Sequence, residues 1–126
     1  MLVINNALAM ARALDSPLEA SLKRLLILRR DQLLEYPDHD LSELACFIVA
    51  EPGDTIAQIE AEARMPLVSA PAFEWVQDHD GWLEAPTIVS DDGFGIVLLV
   101  PNHRNIDPAL LSALRLQLEA ETVAKS

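Results

Sequence analysis

The hydrophobic positions in the first third of the chain repeat with helical spacing. At about 100° per residue, a set of leucines falls on one broad face: Leu18, Leu22, Leu25, Leu26, Leu28 and Leu33. Ser16 supplies an N-cap, Pro17 suits the first helical position, and Glu19 is placed to complete a capping box. We therefore predict a helix that begins at Ser16, buries its leucines and ends at Tyr36 and Pro37.

Three residues of this predicted helix depart from the leucine stripe. Ile27 and Leu34 point to the opposite side, so they are either scattered apolar surface or part of a seam between two subunits. Arg29 lies near the middle of the stripe, where an unpaired charge would be expensive. Its side chain should either snorkel at the edge of the core or meet a carboxylate. A shorter helix is predicted before this one, over Asn5–Leu14.

After Pro37 the pattern changes to short apolar runs. Leu44–Ala50 is typical of a buried strand. A helix follows that strand, and it is capped either by Asp54 or by a capping box of Thr55 and Gln58. Pro71–His79 is ambiguous between a turn of helix and a strand.

The clearest β pattern lies further along the chain. Leu83–Val89 and Phe94–Val100 are rich in residues that favour strands, and the turn residues Ser90–Gly93 join them. These segments predict an antiparallel hairpin. Asp107 and Pro108 then repeat the cap-and-proline pattern and open a closing helix.

Together these elements predict the α+β class. We expect a small two-layer domain with a mainly antiparallel sheet of three to four strands, flanked by N-terminal and C-terminal helices. The length of 126 residues fits a single domain over 1–126. Within it, residues 1–36 form a helical N-terminal region and residues 37–126 an α+β body.

Charge is distributed unevenly between these two parts. The whole chain has a formal net charge of -11, with 9 basic and 20 acidic side chains. Residues 1–36 hold five basic and four acidic side chains, about +1, so the body holds four and sixteen, about -12. Such acidity argues against nucleic acid or an anionic membrane as the main partner. It favours a basic protein partner, or serves solubility alone.

Cysteine content and hydropathy indicate the compartment. Cys46 is the only cysteine, so no intramolecular disulfide is possible and a reduced, cytoplasmic setting is expected. Its place in an apolar strand favours a core thiol over a nucleophile. The first residues lack the pattern of a signal peptide, and no apolar run is long enough to cross a bilayer.

Candidate chemistry is confined to two Asp-His-Asp triplets, at residues 38–40 and 78–80. Their oxygen and imidazole groups could hold a divalent metal if the fold brought them together, although each triplet is also ordinary turn chemistry. The identity of any metal ligand is therefore left open. The sequence has no nucleophile elbow and no phosphate-binding glycine loop, so we assign no catalytic residue and expect no cofactor.

Two tryptophans bracket the second triplet and mark the predicted partner-binding surface. Large aromatics beside an acidic loop suit an interface with a basic protein, but they also suit the core of a small domain. The residues assigned to this surface are Trp75, Asp78, His79, Asp80 and Trp82.

The same part of the chain resembles small acidic uncharacterised proteins of proteobacterial genomes. The resemblance covers about a quarter of the chain and is carried by residues 74–76, 78–79, 81–82, 90–95 and 96–100. Those proteins have no assigned activity. The resemblance therefore implies a bacterial cytosolic protein and transfers no catalytic residue.

The sequence as a whole favours a protein-binding or accessory module without catalytic activity. We expect a homodimer formed through the N-terminal helices and a basic protein as a further partner. The alternative is a small-molecule or metal-dependent enzyme that uses Asp and His residues in the loops of the sheet.

Overall fold

Five helices and one five-stranded sheet are formed by the residues that the computed structural model describes, which are 1–36, 38–64, 73–88, 94–102 and 106–125. Side chains of the last segment are described up to Gln117. In chain order the elements are β1 (Leu2–Ile4), α1 (Ala7–Leu14), α2 (Ala20–Leu33), α3 (Leu41–Leu44), β2 (Ala45–Val49), α4 (Ile56–Ala63), β3 (Gln77–His79), β4 (Trp82–Ile88), β5 (Gly95–Pro101) and α5 (Pro108–Lys125).

The sheet has the strand order β1-β2-β5-β4-β3 and is mainly antiparallel. Its one parallel ladder among these strands joins β2 to β5, with Ala45 opposite Gly95. β4 and β5 pair antiparallel, with Ile88 opposite Gly95, so the predicted hairpin strands are confirmed. The turn predicted at residues 90–93 lies outside the described residues.

The α+β class is confirmed, and the sheet has five strands rather than three to four. Both additional strands are short and lie at the edges of the sheet. Leu2–Ile4 pairs with β2, so the N-terminal region is not purely helical. Gln77–His79 pairs with β4, so the last three residues of the ambiguous segment Pro71–His79 are a strand, while residues 71–72 lie outside the described residues. A three-residue strand is too short for an alternating pattern to identify it.

Helices cover both faces of the sheet, which makes three layers rather than the two predicted. Phe47 and Val49 of β2 pack in a core with α1 and α2, whereas Ile48 packs in a second core with α4 and α5. The physical reason is that the apolar runs of β2 and β5 are continuous, so successive side chains on opposite faces both need burial.

Helix α2 begins at Ala20, although the sequence predicts that Ser16 caps its start. The Ser16 hydroxyl donates to the Ala13 carbonyl oxygen at 2.6 Å, so Ser16 closes α1 instead of opening α2. Glu19 occupies the N-cap position without a side-chain capping bond. Its carboxylate accepts a hydrogen bond from the Trp82 indole at 3.1 Å. A tertiary contact has therefore replaced the predicted capping box.

The leucine stripe of α2 is confirmed in its centre and wrong at one edge. Leu22, Leu25 and Leu26 are buried, and Ile27 and Leu34 face outward as expected. Leu28, predicted to be buried, is 50% exposed. It lies about 60° from Leu25, at the margin of the face that packs on the sheet.

Of the two caps considered for the start of α4, Asp54 or a capping box of Thr55 and Gln58, the structure has the capping box in full. Thr55 accepts from the Gln58 backbone, and the Gln58 side chain accepts from the Thr55 backbone. We expect Thr55→Ala to lower the free energy of unfolding by about 1 kcal/mol, because it leaves an N–H of the first turn without its acceptor. Chemical denaturation measures this loss. Thr55→Ser keeps the hydroxyl and should stay within a few tenths of wild type, and equal losses in both variants would contradict the cap.

Candidate functional site

A buried carboxylate lies at the centre of the candidate site. Glu84 is on β4 and is only 1% exposed. Side chains alternate along this strand, so Trp82 and Glu84 point toward α2 while Leu83 and Ala85 point toward α4 and α5. The carboxylate is therefore held between the sheet and α2, where water does not reach it.

Arg29 and His79 both bind this carboxylate. Arg29 Nε donates to Glu84 Oε2 at 2.7 Å and Arg29 Nη2 donates to Oε1 at 2.6 Å, which is a bidentate pair. His79 Nε2 lies 3.0 Å from the same Oε1. The hydrogen bonds to Glu84 raise the pKa of Arg29 above its ordinary value, although burial opposes this. The arginine in the leucine stripe therefore meets a carboxylate, one of the two predicted outcomes.

The guanidinium also holds Trp75 in place. Arg29 Cζ lies 5.7 Å from the centroid of the Trp75 ring, within the range of a cation–π contact. Arg29 Nη1 donates to Gln32 Oε1 at 2.9 Å on the same helix. Since Glu84 and Gln32 both hold the guanidinium, the half-buried ring of Trp75 packs on a positioned charge.

Trp75 forms one wall of a groove of about 440 Å³ between α2 and the sheet. We call this the Trp75 groove. Its lining is largely apolar or aromatic, with Leu33, Tyr36, Ala45, Phe47, Pro86 and Val97 joining the Arg29–Glu84 pair. Tyr36 is 56% exposed at the mouth. Glu35 also lines the groove, and its carboxylate makes no ion pair with the described residues. Since Arg29 and Glu84 neutralise each other, the residual charge of the groove is negative.

The acidic turn between β3 and β4 is built by its own side chains. Asp78 accepts hydrogen bonds from the Gly81 backbone at 2.8 Å and from the Asn102 side chain at 3.2 Å. Asp80 has a φ of 54°, in the left-handed region that aspartate tolerates in turns, and lies 3.5 Å from Arg24. Both aspartates remain exposed. The turn therefore presents negative charge next to His79, which bonds to Glu84 of the groove.

Trp82 lies in the core, although the sequence assigned it to the partner surface. It is 5% exposed, and its indole N–H donates to Glu19 at 3.1 Å. The structure thus brings Trp75 to the groove and His79 to the Glu84 carboxylate. It places Asp78 and Asp80 at the adjoining turn and turns Trp82 inward.

The two Asp-His-Asp triplets lie at opposite ends of the sheet. Asp40 caps α3, which leads directly into the start of β2. His79 pairs with Trp82, which in turn faces Pro101 at the end of β5. With β2 and β5 parallel, about 20 Å of strand separates these ends, so the two triplets cannot share one ligand. Among the described residues, no group of three or more potential ligands is arranged to hold a metal ion.

Cys46 is half-buried on β2. Burial raises the pKa of its thiol, and the negative charge of Glu62 adds to this effect. Both causes favour the neutral thiol over the thiolate that a nucleophile requires.

Both charged partners of the site interrupt an apolar pattern in the sequence. Arg29 interrupts the leucine stripe, which predicts a charge in need of a partner. Glu84 interrupts the apolar strand residues Leu83 and Ala85 in the same way, and this pattern identifies the carboxylate that sequence reasoning missed. Two opposite charges placed inside apolar patterns are expected to pair, because an unpaired buried charge is expensive.

The fold and site define a small α+β domain with an aromatic groove supported by a buried ion pair. Comparison with protein-family models, curated proteins and solved structures finds no match to the chain. No helix within the described residues is long and apolar enough to cross a membrane.

Proposed function

We propose that this protein is a cytoplasmic binding or accessory module that holds a segment of another protein in the Trp75 groove. The observation that carries the proposal is the groove itself, where Trp75 and Tyr36 flank an apolar floor. Tryptophan, tyrosine and arginine are the residue types enriched among the side chains that dominate binding energy at protein interfaces.

The construction of the groove favours binding over catalysis. Arg29, Glu84 and His79 are each engaged by another member of the cluster, so these ionisable groups hold the walls in position. A preorganised aromatic wall loses little conformational entropy when a ligand docks. The arrangement therefore supports recognition of an apolar side chain.

The charge near the groove favours a basic partner. Glu35 adds a negative charge to the groove, and Asp78 adds another on the adjoining turn, where Asp80 pairs with exposed Arg24 at 3.5 Å. With a net charge of -11, the protein would attract cationic proteins over distance and speed their association. The proposed partner segment therefore carries lysine or arginine next to a large apolar side chain.

Affinity capture from a lysate of the native host tests this proposal. We expect wild type to retain a protein at low salt that leaves as the salt concentration rises, because screening weakens the steering charges. Tyr36→Ala should reduce its recovery about tenfold, a typical loss for an interface aromatic. Leu116→Ala is the matched control, since Leu116 is 67% exposed on α5 and lies outside the groove. The control should retain the partner.

Equal recovery with Tyr36→Ala and Leu116→Ala would refute the groove as the binding site. Retention that does not change with salt would refute the basic partner. Melting temperatures of both variants should match wild type, because both side chains are largely exposed.

We also propose a homodimer formed through the N-terminal helices. The supporting observation is that, within the described part of the chain, five of the seven exposed large hydrophobic residues lie between positions 8 and 36, namely Leu8, Ile27, Leu28, Leu34 and Tyr36. Exposed apolar side chains concentrated in one region are available for contact with another protein.

A further inference from the structure

A second cavity adjoins the Trp75 groove at Tyr36. It has a volume of about 220 Å³ and lies between α1 and the end of α2, and we call it the α1–α2 hollow. Leu33 and Tyr36 line both the hollow and the Trp75 groove, so these two side chains form a wall between the cavities. A ligand that crosses Tyr36 therefore reaches both.

Most of the surface inside the hollow is apolar. Helix α1 contributes small and flexible apolar side chains, and α2 and α3 contribute leucines. These lining residues are Ala7, Met10, Ala11, Leu33, Leu34 and Leu41. Ala7 and Ala11 lie one helical turn apart on the same face of α1 and are both exposed, so they leave open space above the leucines.

Three polar residues complete the lining of the hollow, and each of them is bound by a neighbour. They are Arg30, His39 and Asp40. Arg30 pairs with Asp31 at 3.0 Å, and His39 Nδ1 lies 3.3 Å from Glu43 Oε2. The Asp40 carboxylate accepts the backbone hydrogen bond that caps α3. Since these groups have partners at the rim, the hollow suits an apolar side chain.

The chain around the two cavities carries an excess of negative charge. Residues 31–43 contain no lysine or arginine and five acidic residues, all of them exposed: Asp31, Glu35, Asp38, Asp40 and Glu43. Arg30 balances the first of these, which leaves four carboxylates without an arginine or lysine partner among the described residues. At physiological salt charges act over about 8 Å, so this local excess favours basic groups that lie beside the cavities.

We infer that one short basic segment of the partner occupies both cavities, with an apolar side chain in the Trp75 groove, a second in the α1–α2 hollow, and lysine or arginine beside them. The inference rests on the proposed function of the groove and extends the binding surface across Tyr36. An extended segment fits this surface, because its alternate side chains point the same way about 7 Å apart and straddle the wall between the cavities.

Selection of short random peptides displayed on phage against the immobilised full chain tests the inference. We expect the enriched peptides to share two apolar residues separated by one position, with lysine or arginine next to them. Fluorescence anisotropy then measures the affinity of synthetic copies for each variant. Ala11→Leu fills the hollow and should weaken binding about tenfold, whereas Ala109→Leu, the same change at an exposed position of α5, should bind as wild type does.

A second pair of variants tests the charge. Glu35→Lys should weaken peptide binding at least about threefold, because it places a cation at the rim of the groove. Glu62→Lys makes the same change in net charge at an exposed position of α4, in the opposite helix layer, and should have no effect at physiological salt. Circular dichroism and melting temperature show that each variant is folded.

The outcomes separate this inference from the proposed function beneath it. Peptides that lose affinity with Tyr36→Ala but not with Ala11→Leu would overturn the use of the hollow and leave the groove as the binding site. Failure to enrich any peptide sensitive to Tyr36→Ala would overturn both. Enriched peptides without lysine or arginine, or equal losses with Glu35→Lys and Glu62→Lys, would overturn the basic segment. A dimer of the free chain that Ala11→Leu disrupts in sedimentation velocity would assign the hollow to a second copy and overturn the inference.

Discussion

Replacing Arg29 by methionine is expected to lower the free energy of unfolding by about 3 kcal/mol, the usual effect of removing one partner of a buried ion pair. The reason is that Glu84, which is 1% exposed, would keep its charge away from water without its bidentate partner. Methionine replaces the aliphatic part of the arginine side chain, so little apolar packing is lost with the guanidinium. Denaturant titration at neutral pH measures the change.

Two further variants make this prediction specific to the pair. Arg30→Met changes the neighbouring arginine, which is bound only to exposed Asp31 among the described residues, and should alter stability by less than about 0.5 kcal/mol. Arg29→Met combined with Glu84→Met should recover most of the loss, because an apolar pair of similar volume removes the unpaired charge. A double variant as unstable as Arg29→Met alone would show that the buried charge is not the cause.

Leu26→Ala is expected to lower the free energy of unfolding by about 3 kcal/mol, in the usual range for a leucine removed from a core. Leu26 is fully buried where α2 packs against the sheet. Its loss removes apolar contact and leaves a cavity that surrounding side chains fill only in part. Thermal and denaturant unfolding both measure this effect.

Leu28→Ala is the matched control, because it makes the same chemical change two residues further along the helix. Leu28 is 50% exposed, so its truncation should change stability by less than about 1 kcal/mol. The sequence placed both leucines in one stripe. Equal losses from the two variants would favour that sequence-based assignment over the packing described above.

Much of the fold follows from patterns that depend on neighbouring residues alone. The hairpin strands β4 and β5 and the buried centre of the leucine stripe were predicted correctly, and the Thr55 capping box of α4 was one of the two caps predicted. In each case one local arrangement satisfies both the spacing of the hydrophobic residues and the backbone hydrogen bonds. Contacts with distant residues therefore leave the type of element unchanged.

The wrong predictions concern residues whose side chain or backbone is bound by a residue far away in the sequence instead of by a neighbour. Glu19 was assigned to a capping box, but the buried indole of Trp82 needs an acceptor and takes its carboxylate. The two edge strands depend on pairing with β2 and β4, which three residues cannot reveal. The site shows the same division, since Arg29 could be recognised as a charge in need of a partner while its pairing with Glu84 depends on the fold.

The position of β5 has a consequence for how the chain acquires its structure. β5 lies between β2 and β4, and its register joins Ala45 to Gly95 across some fifty residues. During synthesis β2 emerges before β5, so β1 is its only neighbouring strand at that stage. The other edge of β2, where β5 will pair, is still open. Such an edge attracts other chains until it is covered. The five strands form one sheet only once β5 pairs with both β2 and β4. This pairing is therefore the step that covers the open edge of β2.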